Sequence, residues 1–510
     1  MQIDPDHLPD DKGALQEMVR GLVEDLETSQ RRLRQTQHLL EQLLRHRYGA
    51  RRERVDENQL FLFAAGIVES GQAAIPPPTE ETPSPQPKRR GHGRKPLPAS
   101  LERRRVVYDL AEHRRYCPEC GEGLQHIGEE TSERLEYVPA SFHVIEEACQ
   151  KYACRKGCTV VTADKPRAPI DKGRPGPGLL AQVAVSKYAD HLPLYRQEGI
   201  YRRQGVGLSR QTLCGWMRQC ADLVHPLYAR MKREVLNSKV VGTDDTPVHV
   251  LDRSRSRTRV GRIWTYVGDD RHPYTVYDYT PNRSRAGPEA FLDDFAGYLQ
   301  ADAYAGYDQL YQDPGRRVVE VACWAHARRK FFEAQSSDVM RSTIMLAYIR
   351  LLYDVEREAR KAKLTAKQRY RLRRRRSGLI LDDIHAYLEK EREQVLPKSP
   401  IGVAVGYALS NWQALVRYLD DGDLEIDNNP AERSLRGIAI GRKNWMFYGS
   451  DNGGRTGAVL TSLIATCRRH GIEPFSYLRD VFERIGEHPH TRLEELLPDR
   501  WQAARATPPS

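Results

Sequence analysis

The spacing of apolar residues in the first fifty positions predicts a coiled coil. Within residues 13–47, apolar positions recur at alternating steps of four and three, and neither proline nor glycine follows Gly21. This repeat places one narrow apolar seam along a helix, and pairing with a second helix buries the seam. A single amphipathic helix packed on its own domain is the alternative, but the polar flanks favour a homodimer or higher oligomer. The seam consists of Leu15, Val19, Leu22, Leu26, Leu33, Leu40 and Leu43, with Ser29 and Thr36 where it would continue.

From residue 237 onwards the pattern changes to short β-branched runs separated by turns. Five such runs predict strands, and helical patterns follow the third and the fifth. We therefore expect a mixed α/β sheet in residues 237–455, whose first three strands are antiparallel. The strand sequences are KVVGTDDTPVHVL, GRIWTYVGDD, PYTVYDYTP, GYLQADAYAGY and RVVEVACWAHA.

Two helical regions accompany this predicted sheet. Residues 327–420 are helical in pattern and too numerous for a connecting loop, which indicates a helical insertion within the domain. Its arginine run at 371–376 either contacts DNA phosphates or forms a solvated charged helix. Residues 456–510 predict two covering helices and a frayed tail beyond Pro498.

Residues 171–236 predict a helix-turn-helix region. An apolar helix and a glycine-containing turn precede Ser209, which suits the N-cap of a helix from Arg210 to Val224. Arg210 and Gln211 open this helix and can contact phosphates or base edges of DNA. A helical packing unit without DNA contacts is the alternative.

The charge balance narrows the class of partner. The 510 residues carry a formal net charge of +11, which favours a polyanionic partner, most often nucleic acid, and we expect double-stranded DNA. A merely basic cytosolic protein is the alternative. The first 30 residues are acidic and polar, unlike a signal peptide. No apolar run reaches the roughly 18 residues of a membrane helix. These features predict a cytoplasmic protein without membrane contact.

Residues 51–105 predict a linker. The segment IPPPTEETPSPQP has too many prolines to pack in a core. The following KRRGHGRKP contains Arg94 and Lys95 and can lie in a DNA minor groove, as arginine-rich arms do. A solvated basic linker is the alternative.

Four cysteines in residues 106–170 predict a zinc-binding module. Cys117 and Cys120 form a C-x-x-C pair, and Cys154 and Cys158 form a second pair. Four thiolates make a closed tetrahedral site, which holds one structural Zn²⁺. Buried free thiols are the alternative, and Cys149 is left over as a packing residue.

The segment 424–454 contains a carboxylate at a predicted helix start. Asn429 suits the N-cap, Pro430 the first helical position and Glu432 the capping-box acid, while Gly437 can end the helix. A role limited to capping is one reading of Glu432. The arginines and aromatic residues that follow instead suit a metal-assisted phosphodiester site. The phosphate-binding candidates are Arg433, Arg436, Arg442 and Lys443.

Two aspartates complete a candidate metal centre with Glu432. Asp244 lies on the first predicted strand of the sheet and Asp302 at the end of the fourth, and these two strands can be neighbours. Three such carboxylates can hold two Mg²⁺ or Mn²⁺ ions about 4 Å apart. Asp245 is a rival ligand. Three further residues are expected next to the ligands: His326, Asn428 and Asn429.

Over almost its whole length the sequence resembles bacterial transposases of the insertion sequence 66 family. The resemblance rests on the heptad helix, GRKPLP, the four cysteines, GTDDTPVHVL, LQADAYAGY, CWAHARRKF, YLRDVFERI and above all IDNNPAERSLRGIAIGRKNWMFYGS. It implies a ribonuclease-H-like fold and an acidic triad at Asp244, Asp302 and Glu432. One departure is Asp245, where the family usually has glutamate.

The resemblance implies strand cleavage and strand transfer at the ends of a mobile element. The amino-terminal modules would bind terminal inverted repeats, and the protein would be bacterial and nucleoid-associated, with possible accessory proteins from the same element. A zinc-dependent DNA-binding regulator and a nuclease without strand transfer are the alternatives. A regulator explains the charge and the cysteines but not three spaced acids on a mixed sheet.

Overall fold

The computed structural model describes residues 175–506 continuously, together with 140–153, 160–164, 167–170, 173 and positions 105, 119 and 122. Three sets of predicted features lie outside the described residues: the coiled coil, the linker up to residue 104 with Arg94 and Lys95, and the four cysteines of the predicted zinc site. The described residues up to Glu147 belong to a different compact unit from those starting at Ala148. Residues 140–147 form neither helix nor strand.

A small hairpin opens the second unit. Strand β1 (Lys151–Ala153) pairs antiparallel with β2 (Val160–Thr162). Three helices follow. The first ends before His191, which has a positive φ of 60°, and the second begins after it. The sequence predicted one apolar helix here, and this was wrong because the chain turns at His191 before Pro193. The helices are α1 (Pro177–Tyr188), α2 (Leu194–Arg203) and α3 (Arg210–Leu236).

Helix α3 begins as predicted and ends later than predicted. The Ser209 hydroxyl accepts a hydrogen bond from the Thr212 amide at 3.1 Å, which is the expected N-cap. The helix continues beyond Val224 and through Pro226 because Met231 and Val235 are fully buried on its inner side. Burial of the second half of α3 outweighs the hydrogen bond that the proline removes.

The main sheet is mixed, as the sequence predicted. Its strand order is β5-β4-β3-β6-β7, in which β4 pairs antiparallel with both β3 and β5, while β6 and β7 run parallel to β3. The short strand β8 pairs parallel with the far end of β3. The strands are β3 (Val240–Val250), β4 (Arg259–Val267), β5 (Thr275–Thr280), β6 (Gly297–Gln300), β7 (Val318–Val321) and β8 (Phe447–Tyr448).

One edge of β3 is not covered by a strand along its middle part. Strand β6 pairs with residues 240–242 and β8 with residues 249–250, so among the described strands only β4 pairs with residues 243–248. Open backbone groups at a buried sheet edge need other partners. Side chains from the segment before and within α11 (Asn429–Trp445) supply them, as described below.

Helices surround the sheet. Those that lie between β7 and α11 along the chain form a hydrophobic core of their own, separate from the core between α11 and the sheet. Trp324 and Phe331 are fully buried in the core between these helices. The remaining helices are α4 (Ala286–Phe291), α5 (Asp308–Gln312), α6 (Trp324–Ala334), α7 (Val339–Lys361), α8 (Ala366–Arg392), α9 (Pro400–Ser410), α10 (Trp412–Val416), α12 (Asp451–Arg469), α13 (Pro474–Arg484) and α14 (Pro498–Ala506), with short 3₁₀ turns at Ala305–Tyr307, Arg417–Leu419 and His490–Leu496.

The expectation for the arginine run is corrected at Arg373, and the expectation of a frayed tail is corrected as far as Ala506. Arg373, in the middle of the arginine run, is fully buried and forms two hydrogen bonds to the carboxylate of Glu356 at 2.7 and 2.8 Å, so it cannot contact DNA. Beyond Pro498 the chain is helical to Ala506 and not frayed up to that point. The Trp501 indole is buried and donates to Asp480 at 2.8 Å, which fixes this end.

Within the described residues, no helix combines the length and apolarity needed to span a membrane.

Replacing Arg373 with alanine should destabilise the insertion strongly. The change leaves the buried Glu356 carboxylate without its partner, at an expected cost of about 3–5 kcal/mol in the free energy of unfolding. Urea unfolding of the full chain measures it. Arg374→Ala is the control, because that side chain is 57% exposed and lies 4.0 Å from Asp420. Equal unfolding midpoints for the two variants would contradict the assignment.

Candidate functional site

Strand β3 carries Asp244 towards helix α11. Alternate side chains of a strand share a face, so Gly242, Asp244 and Thr246 point the same way. A Cβ atom at Gly242 would lie 3.1 Å from the Asn428 side chain and 3.6 Å from Ala431. The face that holds Asp244 is therefore the face on which the start of α11 packs.

The register of the parallel strands brings Asp302 beside Asp244. Gly242 lies opposite Gln300 on β6. Asp244 and Asp302 each follow two residues after these partners, at the carboxyl side of the paired segment. The side chain of Asp302 is 25% exposed, so it lines an open site and not the core.

Glu432 enters the site from the first turn of α11, although the helix differs from the prediction. It starts at Asn429 with Asn428 in the capping position, and it continues through Gly437 to Trp445. Leu435 and Ile438 are buried and hold the middle of the helix against the sheet, which explains why the glycine does not end it. The side chain of the N-cap residue Asn428 makes no capping hydrogen bond, and the Glu432 Oε1 atom is buried without a hydrogen-bond partner. The reading of Glu432 as a capping acid is therefore wrong.

The two asparagines position this helix. The buried Asn428 donates from its side chain to the Thr243 carbonyl at 2.7 Å, on the open edge of β3. Asn429 donates from its side chain to Asp427 at 2.5 Å, and Asp427 also accepts from the Tyr353 hydroxyl at 2.9 Å. These contacts fix the start of α11, and with it Glu432, relative to the strand that carries Asp244.

The three acids influence one another electrostatically. Burial raises the pKa of Asp244 to about 7; the negative charges of Asp302, Glu432 and Asp245 add to the rise, while the Asp245 amide opposes it. Burial also raises the pKa of Asp302, with Asp245 and Glu432 acting in the same direction and His326 and Arg283 in the opposite direction. Close, partly desolvated carboxylates suit a bound divalent ion.

Asp245, the rival ligand, has a different environment. It lies on the opposite side of β3, and its side chain is only 3% exposed. Arg262 donates to it at 2.8 Å, and Arg283 contacts it at 2.8 Å. Two guanidinium groups therefore already compensate its charge, and Asp244 is the better candidate ligand.

Arg283 is a site residue that the sequence did not single out. It bridges from Asp245 to Asp302, at 3.8 Å from the latter, and stacks 4.0 Å over the ring of Tyr304. It lies in the turn between β5 and α4, where its sequence context, PNRSR, is that of an ordinary polar loop. Only the folded arrangement places its positive charge next to the acids.

His326 lies beside Glu432, close to where the sequence analysis expected it. Its Nδ1 atom is 3.7 Å from Glu432 Oε1. Cys323, His326 and Glu432 offer ligand atoms within 4.8 Å of one another. Cys323 was not predicted, since a single cysteine at a strand end is ordinarily a small packing residue.

The basic candidates fall into two groups. Arg433, Arg436 and Lys443 are exposed along α11. Arg442 is half-buried and donates to the Thr246 hydroxyl at 2.8 Å and the Pro247 carbonyl at 2.7 Å, so it also supports the open edge of β3. The other two DNA-binding candidates, Arg210 and Gln211, are both exposed in the first turn of α3.

Comparison with known proteins identifies the family. A family described as "Transposase IS66 family" matches residues 172–456, and its "IS66 C-terminal element" matches residues 462–498. A "zinc-finger binding domain of transposase IS66" matches residues 114–157, which contain Cys117, Cys120 and Cys154. "Transposase C of IS166 homeodomain" matches residues 35–106. The chain belongs to the IS66 transposase family. Its transposase and zinc-finger matches support DNA as a partner.

Three relatives come from Sinorhizobium fredii (strain NBRC 101917 / NGR234), and each is described as an uncharacterized protein. One, y4qI, is 34% identical over 96% of this chain and 97% of its own length. The second, y4jD, is 36% identical over 80% of this chain and 82% of its own length. The third, y4hP, is 34% identical over 81% of this chain and 78% of its own length.

Asp244→Asn should stabilise the protein at high pH. The folded-state pKa of about 7 lies above the value of about 3.9 for an unfolded aspartate. The native state therefore retains a proton that the unfolded chain releases, and stability falls as pH rises from about 4 to about 7. Asparagine removes this loss, so the variant should gain on the order of a few kcal/mol at pH 8 and little at pH 4. Unfolding midpoints across pH measure the difference.

Asp245→Asn is the matched control on the adjacent residue. It removes a partner of Arg262 and Arg283, so it should destabilise the protein at pH 8. A loss of stability in both variants, or an Asp244→Asn effect that does not change with pH, would rule out the raised pKa.

Proposed function

We propose that this chain is a DNA transposase that cleaves element ends and joins them to target DNA at a centre formed by Asp244, Asp302 and Glu432. The observation that carries the proposal is the convergence of three carboxylates from β3, the end of β6 and α11, with mutual charge repulsion that a cation would relieve. The strand order β5-β4-β3-β6-β7, with only the first three strands antiparallel, supports a ribonuclease-H-like domain.

Two divalent ions, Mg²⁺ or Mn²⁺, suit this donor set. The ligand atoms are carboxylate oxygens, which these ions prefer, and Glu432 Oε1 is buried without a partner. When bound, such ions activate an attacking oxygen and stabilise the leaving oxygen at phosphorus. Asp244 and Asp302 would hold them from the sheet and Glu432 from the helix. Hydrolysis at the element end would release a 3′ hydroxyl, and the same site would then direct that hydroxyl at a target phosphodiester.

The basic side chains of α11 would orient the DNA. Arg433, Arg436 and Lys443 are exposed on the helix that carries Glu432. In our proposal they bind phosphates near the cleaved bond, and Arg442 contributes from its partly buried position. Arg283 would bind a phosphate once cations take over the neutralisation of Asp302.

The amino-terminal segments would recognise and pair element ends. In our proposal residues 1–50 form the coiled coil that joins two protomers, and residues 106–170 hold one structural Zn²⁺ through four cysteines. Arg94 and Lys95 of the 51–105 linker, with Arg210 and Gln211 of the 171–236 region, would contact the terminal repeats. Residues 237–455 would be the catalytic domain with its insertion at 327–420, and residues 456–510 its carboxyl-terminal cover. Accessory proteins of the same element are possible further partners.

Removing a proposed ligand should abolish chemistry and leave DNA binding intact. Asp244→Asn, Asp302→Asn and Glu432→Gln should each lower cleavage by at least about a thousandfold, since each removes charge that holds the ions. A labelled element-end duplex with Mg²⁺ reports both cleavage and joining, and a filter assay reports binding.

Asp308→Asn is the matched control for this assay, because Asp308 is an exposed acid close to Asp302 in sequence. It should cut and join like the original chain. A chain that cuts but never joins would be a nuclease. Equal DNA binding without cleavage in every variant and in the original chain, with accessory proteins supplied, would favour a regulator.

The double variant Arg433→Ala/Arg436→Ala should weaken DNA binding through lost phosphate contacts. Each lost contact reduces the slope of log affinity against log salt by about one, so the slope should fall by about two. Fluorescence anisotropy at several salt concentrations measures it. Arg484→Ala on α13 is the control for net charge, since Arg484 is 46% exposed and pairs with Asp480. An equal slope change per arginine in the control would contradict a specific DNA surface on α11.

A further inference from the structure

We propose that His326 is a ligand of the metal centre, sharing one ion with Glu432 through its Nδ1 atom and giving that position a preference for Mn²⁺ over Mg²⁺. This inference rests on the proposed function and extends it, because the acidic triad alone offers only oxygen ligands. It changes the predicted chemistry of one of the two ion positions.

The distance between the two side chains fits a shared ion better than a hydrogen bond. His326 Nδ1 and Glu432 Oε1 are 3.7 Å apart, whereas a nitrogen–oxygen hydrogen bond spans about 2.7–3.2 Å. Two ligand atoms that each lie about 2.1 Å from one ion, at angles of about 90–125°, are separated by about 3.0–3.7 Å. The observed separation lies at the upper end of that range.

Both atoms also lack any other partner among the described residues. His326 Nδ1 and Glu432 Oε1 are each buried and make no hydrogen bond. Buried polar atoms are ordinarily paired, and an unpaired one indicates a missing ion, water or functional role. Here two unpaired atoms face each other across a gap of ion-binding size. One divalent ion would satisfy both.

The scaffold holds this pair in place without metal. The Trp324 amide at the start of α6 donates to the Ile426 carbonyl at 3.1 Å, and the Asn428 amide donates to Cys323 Sγ at 3.2 Å. These two hydrogen bonds fix the first turn of α6 against the residues that immediately precede α11. His326 and Glu432 therefore face each other from two elements that are bonded together, as a preorganised site requires.

Cys323 acts as a positioning residue in this arrangement and not as a third ligand. Its sulfur already accepts the Asn428 amide, and the side chain is fully buried. The donor set at this position is therefore one imidazole nitrogen with carboxylate oxygens. Mn²⁺, a transition-metal ion, accepts an imidazole nitrogen more readily than Mg²⁺, which demands oxygen ligands.

The test is electron spin echo spectroscopy of the full-length, zinc-loaded chain with added Mn²⁺, which detects a directly bonded nitrogen. The original chain should show nitrogen modulation, and His326→Gln should lose it. Mn²⁺ affinity should fall by about tenfold or more in that variant. Mg²⁺ affinity, measured by competition, should change much less. Circular dichroism at equal protein concentration checks that His326→Gln is folded, and His326→Asn provides a second variant.

His385→Gln is the matched control, because His385 also faces a glutamate, Glu389 at 3.9 Å, but on an exposed helix surface. It should keep the nitrogen modulation. Mn²⁺ bound without nitrogen modulation, or modulation that survives in His326→Gln, would overturn the ligand assignment while leaving the acidic centre intact. Mn²⁺ binding that is unchanged in both Asp244→Asn and Glu432→Gln would instead overturn the proposed centre itself.

Discussion

The attachment of α11 to the open edge of β3 is the constraint on which the candidate site depends. Asn428 bonds the Thr243 carbonyl, and Arg442, almost four turns further along, bonds the Pro247 carbonyl. Between Thr243 and Pro247, the Asp245 amide donates a hydrogen bond to the Asp244 carboxylate at 2.7 Å. The helix thus takes the place of a strand along this edge. Glu432 is located by two contacts on the strand that carries Asp244, and this is why three acids distant in sequence share one site.

Two adjacent aspartates on β3 show how a sheet separates charge. Asp244 and Asp245 point to opposite sides because side chains alternate along a strand. Asp245 meets Arg262 and Arg283 and is compensated within the protein. Asp244 meets other carboxylates, and its burial, together with their negative charge, raises its pKa. A protein retains such an unfavourable cluster when an external cation compensates it, whereas a purely structural acid would resemble Asp245.

The sequence predicted those features that local pattern determines. Alternating β-branched residues identified the strands, and Ser209 identified a helix start, because strand periodicity and capping are short-range effects. The extent of α3 and α11 was missed, since buried contacts with distant elements overrode Pro226 and Gly437. Arg373 looked like part of a solvated basic run, and its burial with Glu356 depends on two helices packing together. Arg283 was missed for the same reason, because Asp245 and Asp302 are remote from it in sequence.

The insertion between β7 and α11 is tied to the site at both ends. At its start the Ala322 amide donates to the Ala414 carbonyl at 3.0 Å, and the Trp324 indole donates to the Leu415 carbonyl at 2.8 Å. In its interior Tyr353 of α7 bonds Asp427, just before the helix that carries Glu432. The chain therefore returns to within hydrogen-bonding distance of where it left the sheet. The core of the insertion therefore helps to hold Glu432 in position. A change that repacks this core would displace Glu432 through the contacts of Asp427 and Asn428.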